Sequence, residues 1–114
     1  MLNKSVLYAE DDPMVSKIMQ MILKREFKQV YTARNGKEAY EIFHEHIPDI
    51  VITDLAMPQL DGFELIKRIK EEKPETKIMV TTAYREETKK LDGVVCLFKP
   101  IDKEELFRCL KMLL

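Results

Sequence analysis

The run Asp49-Ile50-Val51-Ile52-Thr53, continuing into Asp54-Leu55-Ala56-Met57-Pro58, decides how this chain folds. Three successive branched aliphatic residues leave no polar face, so Asp49 to Thr53 reads as a strand covered on both sides. Such a strand belongs to a parallel sheet, whose neighbours are joined by crossovers, usually helices. The flanking sequence supplies both. Lys4 to Ala9, Gln29 to Thr32, Lys77 to Thr81 and Val94 to Phe98 read as four further strands. Helical spacing links Val15, Ile18, Met19, Ile22 and Leu23; then Ala39, Ile42, Phe43 and Ile47; then Phe63, Ile66 and Ile69; and last Leu106, Leu110 and Leu113. Asp12-Pro13 predicts an N-cap followed by proline at the first helical position. Asp61 with Glu64, and Asp102 with Glu105, have capping-box spacing. Asn35-Gly36 reads as a turn, and Pro48 closes the second helix. Right-handed crossovers make the arrangement doubly wound. Only Tyr84 to Gly93 separates strands four and five, against the roughly dozen residues a crossover needs, so the fourth helix is expected to be short.

Composition narrows the function. The 114 residues make one domain, 1–114, with 46% apolar and 34% charged residues, too apolar for disorder. Lys+Arg 19 against Asp+Glu 20 gives a net charge of -1, which removes any general electrostatic case for nucleic acid or an anionic membrane. No apolar run approaches the roughly 20 residues that span a bilayer, and Met1 to Ser5 lacks the features of a signal peptide. A cytoplasmic protein is expected. Cys96 and Cys109 have no metal-site spacing and read as reduced and buried. Met14, Met19, Met21 and Met79 read as core filler. His44 and His46 lie two apart on a helix, cannot face each other, and read as solvated or edge residues.

Ligands of open α/β sheets bind beyond the carboxyl ends of the strands. Strand one runs into Glu10-Asp11-Asp12, strand three into Asp54, strand four into Thr82 and strand five into Lys99-Pro100. Crowded carboxylates repel unless a cation sits among them, and an oxygen-only cluster of this kind suits Mg²⁺. A hydroxyl and an ammonium beside them are groups that receive phosphoryl oxygens.

These motifs are similar to those of the receiver domain of two-component response regulators. The matching stretches are Val6 to Pro13, Pro48 to Pro58, Asp61 to Leu65, Thr82-Ala83 and Lys99-Pro100. The resemblance covers nearly the whole chain. It implies a flavodoxin-like five-stranded parallel sheet of order 2-1-3-4-5. It also implies that Asp54 accepts a phosphoryl group from a phosphohistidine on a sensor histidine kinase or phosphotransfer protein. By position, Asp11 resembles the direct Mg²⁺ ligand and Glu10 the acid that binds the metal directly or through water. Asp54 joins them, and Ala56 offers its backbone carbonyl. Thr82 and Lys99 resemble the hydroxyl and ammonium that hold the phosphoryl, and the Lys-Pro peptide is commonly cis in the family.

Three departures stand out. Glu10 replaces the commoner Asp. Cys96 occupies a position where the family usually has Tyr or Phe. The segment from Thr82 to Lys99 is short by about a helical turn. The reading is a phosphorylation-controlled switch and not a turnover enzyme, with an output domain or target protein downstream. The apolar end Met112-Leu113-Leu114 slightly favours a fragment over a stand-alone regulator. A Mg²⁺-dependent phosphohydrolase with an aspartyl nucleophile would need a second Asp where Ala56 stands. A pseudo-receiver that binds partners without phosphorylation sits poorly with the intact set Glu10, Asp11, Asp54, Thr82 and Lys99. A flavin site lacks its phosphate loop, since Gly36, Gly62 and Gly93 are isolated.

Overall fold

The computed structural model describes residues 2–114. In chain order the elements are β1 (Leu2–Ala9), α1 (Pro13–Leu23), β2 (Phe27–Ala33), α2 (Gly36–His46), β3 (Ile50–Asp54), α3 (Gly62–Glu72), β4 (Lys77–Thr82), α4 (Arg85–Thr88), β5 (Val95–Phe98) and α5 (Lys103–Leu113). All the strand pairings are parallel, in the order β2-β1-β3-β4-β5. This is the flavodoxin-like fold expected. β3 sits at the centre and every one of its residues is buried.

Alternate strand residues feed two separate cores. Leu7, Val51 and Val80 pack with Phe43 of α2 and Leu65 and Ile69 of α3. Tyr8, Ile52 and Met79 pack on the other face with Met19 of α1 and Leu106 and Leu110 of α5. Each cluster is continuous, which is why the central strand β3 needs no polar face, while β2 exposes Lys28 and Gln29.

The helix starts follow their capping residues. The Asp12 carboxylate accepts from the amides of Met14 and Val15 at 2.9 and 3.2 Å, with Pro13 opening α1. Asp61 accepts from Glu64 N at 2.9 Å. Asp102, extended at the N-cap, accepts from Glu104 N, the second helical amide, and not from Glu105. Asn35-Gly36 is not a free turn: Asn35 caps α2 through Glu38 N at 2.7 Å and Gly36 is the first helical residue. Gly36 has to be glycine because a Cβ there would overlap the carbonyl oxygen of Leu60.

Several burial expectations are corrected. Met14, Ile18 and Met21 are 73%, 54% and 58% exposed. α1 buries only the stripe through Met19 and Leu23, and residues 14, 18 and 21 form a second stripe turned to its flank. Cys96 and Cys109 are half-buried: Cys96 lies on the edge strand β5, and Cys109 on the flank of α5. Met19 and Met79 are core residues as expected. His44 is exposed and pairs with Glu72, while His46 stacks on Tyr31 with ring centroids 4.4 Å apart.

The cramped crossover leaves α4 with four residues, none buried. Leu91 is its half-buried anchor on the core, and Gly93 turns the chain into β5 at φ 70. Among the described residues no helix is long and apolar enough to cross a membrane.

Candidate functional site

The register of the sheet places the site. Ala9 pairs with Thr53, Asp54 with Thr81, and Thr82 with Phe98, so Glu10, Asp54, Thr82 and Lys99 emerge along one rim. Asp54, the last residue of β3, is nearly buried. Its Oδ1 accepts from the Leu55 amide at 2.8 Å and its Oδ2 from Lys99 Nζ at 2.8 Å. Lys99 Nζ also donates to Glu10 Oε1 at 3.0 Å, so one ammonium bridges two carboxylates. The Lys99 amide donates to Thr82 O at 2.8 Å, and the Lys99-Pro100 peptide is cis, as the resemblance implied.

Glu10 is 1% exposed. Burial pushes its carboxyl above the ordinary range. Hydrogen bonds from Lys99 and the Asp12 amide pull the other way without cancelling it. For Lys99, burial disfavours the charge, but the bonds to Asp54 and Glu10 outweigh it and the ammonium is held above its usual range. Tyr8 lies beneath, its phenol pushed well up by burial and by the Glu10 charge.

Carboxylate oxygens of Glu10, Asp11 and Asp54 all lie within 4.8 Å of one another. Three carboxylates against one ammonium leave two negative charges, and the donors are all oxygen. The set fits a divalent hard cation such as Mg²⁺. Asp11 is the exposed member of the three. Ala56 is exposed and, with Asp11, Met57, Asp61, Glu87 and Lys90, lines an open depression of about 610 Å³ over the rim.

Side-chain bonds therefore join Glu10, Asp54 and Lys99, and Asp11 stands next to them. Thr82 is at the rim, and its hydroxyl oxygen accepts from the Tyr84 amide at 3.1 Å, a bond that does not use its own O–H. Two site groups were missed in the sequence. The Leu55 amide carries no side-chain signal. Tyr8, read only as a buried strand residue, directs its hydroxyl at Glu10 Oε1 across 3.5 Å; its place two residues before Glu10, on the same face, was the available clue.

A doubly wound parallel sheet with an acidic, lysine-bridged pocket at its carboxyl edge defines the class. The sequence profile of the response regulator receiver domain matches residues 6–111, and the chain belongs to that family. It is 30% identical over 118 aligned positions to the transcriptional regulatory protein SrrA of Staphylococcus aureus, covering 99% of this chain and 48% of SrrA. The chain thus spans about half the length of the curated relatives it matches. Among solved structures it resembles the chemotaxis response regulator CheY4 of Vibrio cholerae, with TM-score 0.88, 26% identity, and 99% and 100% of the two chains covered. The receiver domain of the Francisella response regulator 1452 aligns with TM-score 0.87 at 26% identity over 97% and 96%.

Proposed function

We propose that this receiver domain is a phosphorylation-controlled switch of a two-component system. Asp54 accepts a phosphoryl group from a phosphohistidine on a sensor histidine kinase or phosphotransfer protein in the cytoplasm. The observation that carries this reading is the Asp54 carboxylate at the end of the central strand, with Lys99 Nζ 2.8 Å from one oxygen and Leu55 N 2.8 Å from the other.

An Asp54 oxygen forms the new O–P bond while the N–P bond of the donor breaks, its electron pair returning to the imidazole. The Leu55 amide keeps the carboxylate in one rotamer for attack. Lys99, already between Asp54 and Glu10, takes a phosphoryl oxygen as the charge moves outward. Thr82 supplies a second donor, its O–H, which the bond accepted from the Tyr84 amide does not use. Asp11 and Asp54, Glu10 directly or through water, and the Ala56 carbonyl would hold Mg²⁺, which would supply charge neutralisation for the phosphoryl oxygens. The rest is positioning, which suits a module that is modified and read out and is not a turnover enzyme.

The donor has an apolar surface available beside the rim. Met14, Ile18 and Met21 stand exposed along α1, next to a groove lined by Val15, Ile22, Pro100 and Ile101. The receiver's output is an attached domain or a target protein, with no direct nucleic-acid or membrane contact by this domain.

Incubation with acetyl phosphate and Mg²⁺ followed by intact mass tests the reading. One phosphoryl should be gained by the wild type and none by Asp54→Asn. Full labelling of Asp54→Asn would remove Asp54 from the role.

A further inference from the structure

Tyr8 is 0% exposed, its ring packed in the core between the sheet and helices α1 and α5. The ring is ordinary core, but the hydroxyl is not. A buried phenol O–H has to find an acceptor. Among the described residues the one it has is Glu10 Oε1, at 3.5 Å. Both carboxylate oxygens then have donors. Oε1 accepts from Tyr8 and from Lys99, and Oε2 accepts from the Asp12 amide at 3.3 Å. An aspartate in this place would end one carbon–carbon bond short of that position.

Lys99 hangs on a flexible four-carbon stem and is 29% exposed along its side chain, so its location depends on its two partners. Asp54 loses its carboxylate charge when it becomes an acyl phosphate. Glu10 is the carboxylate partner that persists through that change, beside the phosphoryl oxygen that Lys99 then takes.

We propose that Tyr8 is a positioning residue: its hydroxyl orients the Glu10 carboxylate, and Glu10 in turn holds the Lys99 ammonium over Asp54. The juxtaposition stands by itself, while its consequence for phosphoryl transfer rests on the function proposed above.

Trace acetylation of lysines with acetic anhydride, read by peptide mass spectrometry, reports how tightly each ammonium is held in the folded chain. Wild type, Tyr8→Phe, Glu10→Asp and the double variant are compared, with the remaining lysines as internal standards. Tyr8→Phe should raise Lys99 labelling by a few-fold, less than the roughly tenfold that a full-strength hydrogen bond to a charged group carries, because the contact spans 3.5 Å and acts through Glu10. Glu10→Asp should also raise it, and Tyr8→Phe should then add nothing. Unchanged Lys99 labelling in Tyr8→Phe, equal increases in both backgrounds, or a uniform rise over all lysines would each overturn the proposal.

A second arm follows phosphorylation from acetyl phosphate. Tyr8→Phe should slow the reaction at saturating Mg²⁺, where any loss of Mg²⁺ affinity through Glu10 no longer limits the rate. An unchanged maximal rate defeats the proposal. A wild type that takes no phosphoryl defeats the proposed function instead, and the labelling arm still decides the role of Tyr8.

Discussion

Gly62, the first residue of α3, packs its Cα against the main chain of Asp54: a Cβ at Gly62 would overlap the Asp54 carbonyl oxygen and lie 2.6 Å from Leu55 Cα. The same two segments are joined by the Gly62 amide, which donates to Leu55 O at 2.8 Å. The helix start therefore braces the backbone that aims the Asp54 carboxylate. Gly62→Ala should cost about 1–3 kcal/mol, the usual penalty for overpacking where the obstacle is main chain. Urea denaturation measures the loss, and slower acetyl phosphate labelling should accompany it. A midpoint equal to the wild type would show that the loop yields freely.

Mg²⁺ should stabilise the fold by relieving repulsion among Glu10, Asp11 and Asp54. A ligand that binds only the native state adds roughly 2.7 kcal/mol at about 100 times its dissociation constant. The wild-type Tm should rise with Mg²⁺, and much less in Asp11→Asn. Equal shifts in the two proteins would take Asp11 out of the metal site.

Glu10 carries a pH signature. Its folded carboxyl titrates above the model-peptide value of 4.5, chiefly because it is buried. Between that value and the raised one, the native state binds the proton more tightly than the unfolded chain does. The contribution of Glu10 to stability is thus fully present below about pH 4.5 and declines as pH rises through the raised folded value. In metal-free buffer, wild-type stability minus that of Glu10→Gln should fall with increasing pH across this window. Denaturant midpoints at successive pH values give the difference, and a rising trend would reverse the assignment.

The segment from Thr82 to Gly93 should carry the conformational response. Its helix α4 has no buried residue and no side-chain cap, so opening costs little free energy. The Thr82 hydroxyl oxygen accepts from the Tyr84 amide, so a movement of Thr82 toward a phosphoryl on Asp54 would be passed to residues 84 and 85. Cys96 is too small to take up the vacated space as an aromatic would. Hydrogen exchange before and after acetyl phosphate and Mg²⁺ should place the largest change, outside the ligand-contacting loops, within residues 82–93. A dominant change in α1 or α2 with this segment silent would contradict it.

Sequence and structure divide the account by the range of the interactions involved. Alternating apolar runs and helical stripes are local, so β1 to β5, their helices and the parallel sheet could be read from residues 4 to 113 in order. Strand ends could be read too, and the rule that ligands bind beyond them collected Glu10, Asp11, Asp54, Thr82 and Lys99 from four separate places. Cap residues such as Asp12 and Asp61 act over three or four positions and were equally legible.

Tertiary structure alone decided the rest. Which stripe of α1 meets the sheet depends on how the helix is rotated against its neighbours, so Met14, Ile18 and Met21 could not be told from core by spacing. The half-burial of Cys96 follows from β5 being an edge, a property of strand order. The bridge from Lys99 to Glu10 and Asp54 joins residues 89 and 45 positions apart. Tyr8 could be placed on the face of Glu10 by alternation, but only packing left its hydroxyl with that carboxylate as acceptor. Residue type and spacing set which groups reach the rim; the distances between them, and so which charge answers which, exist only once the two cores have closed around the sheet.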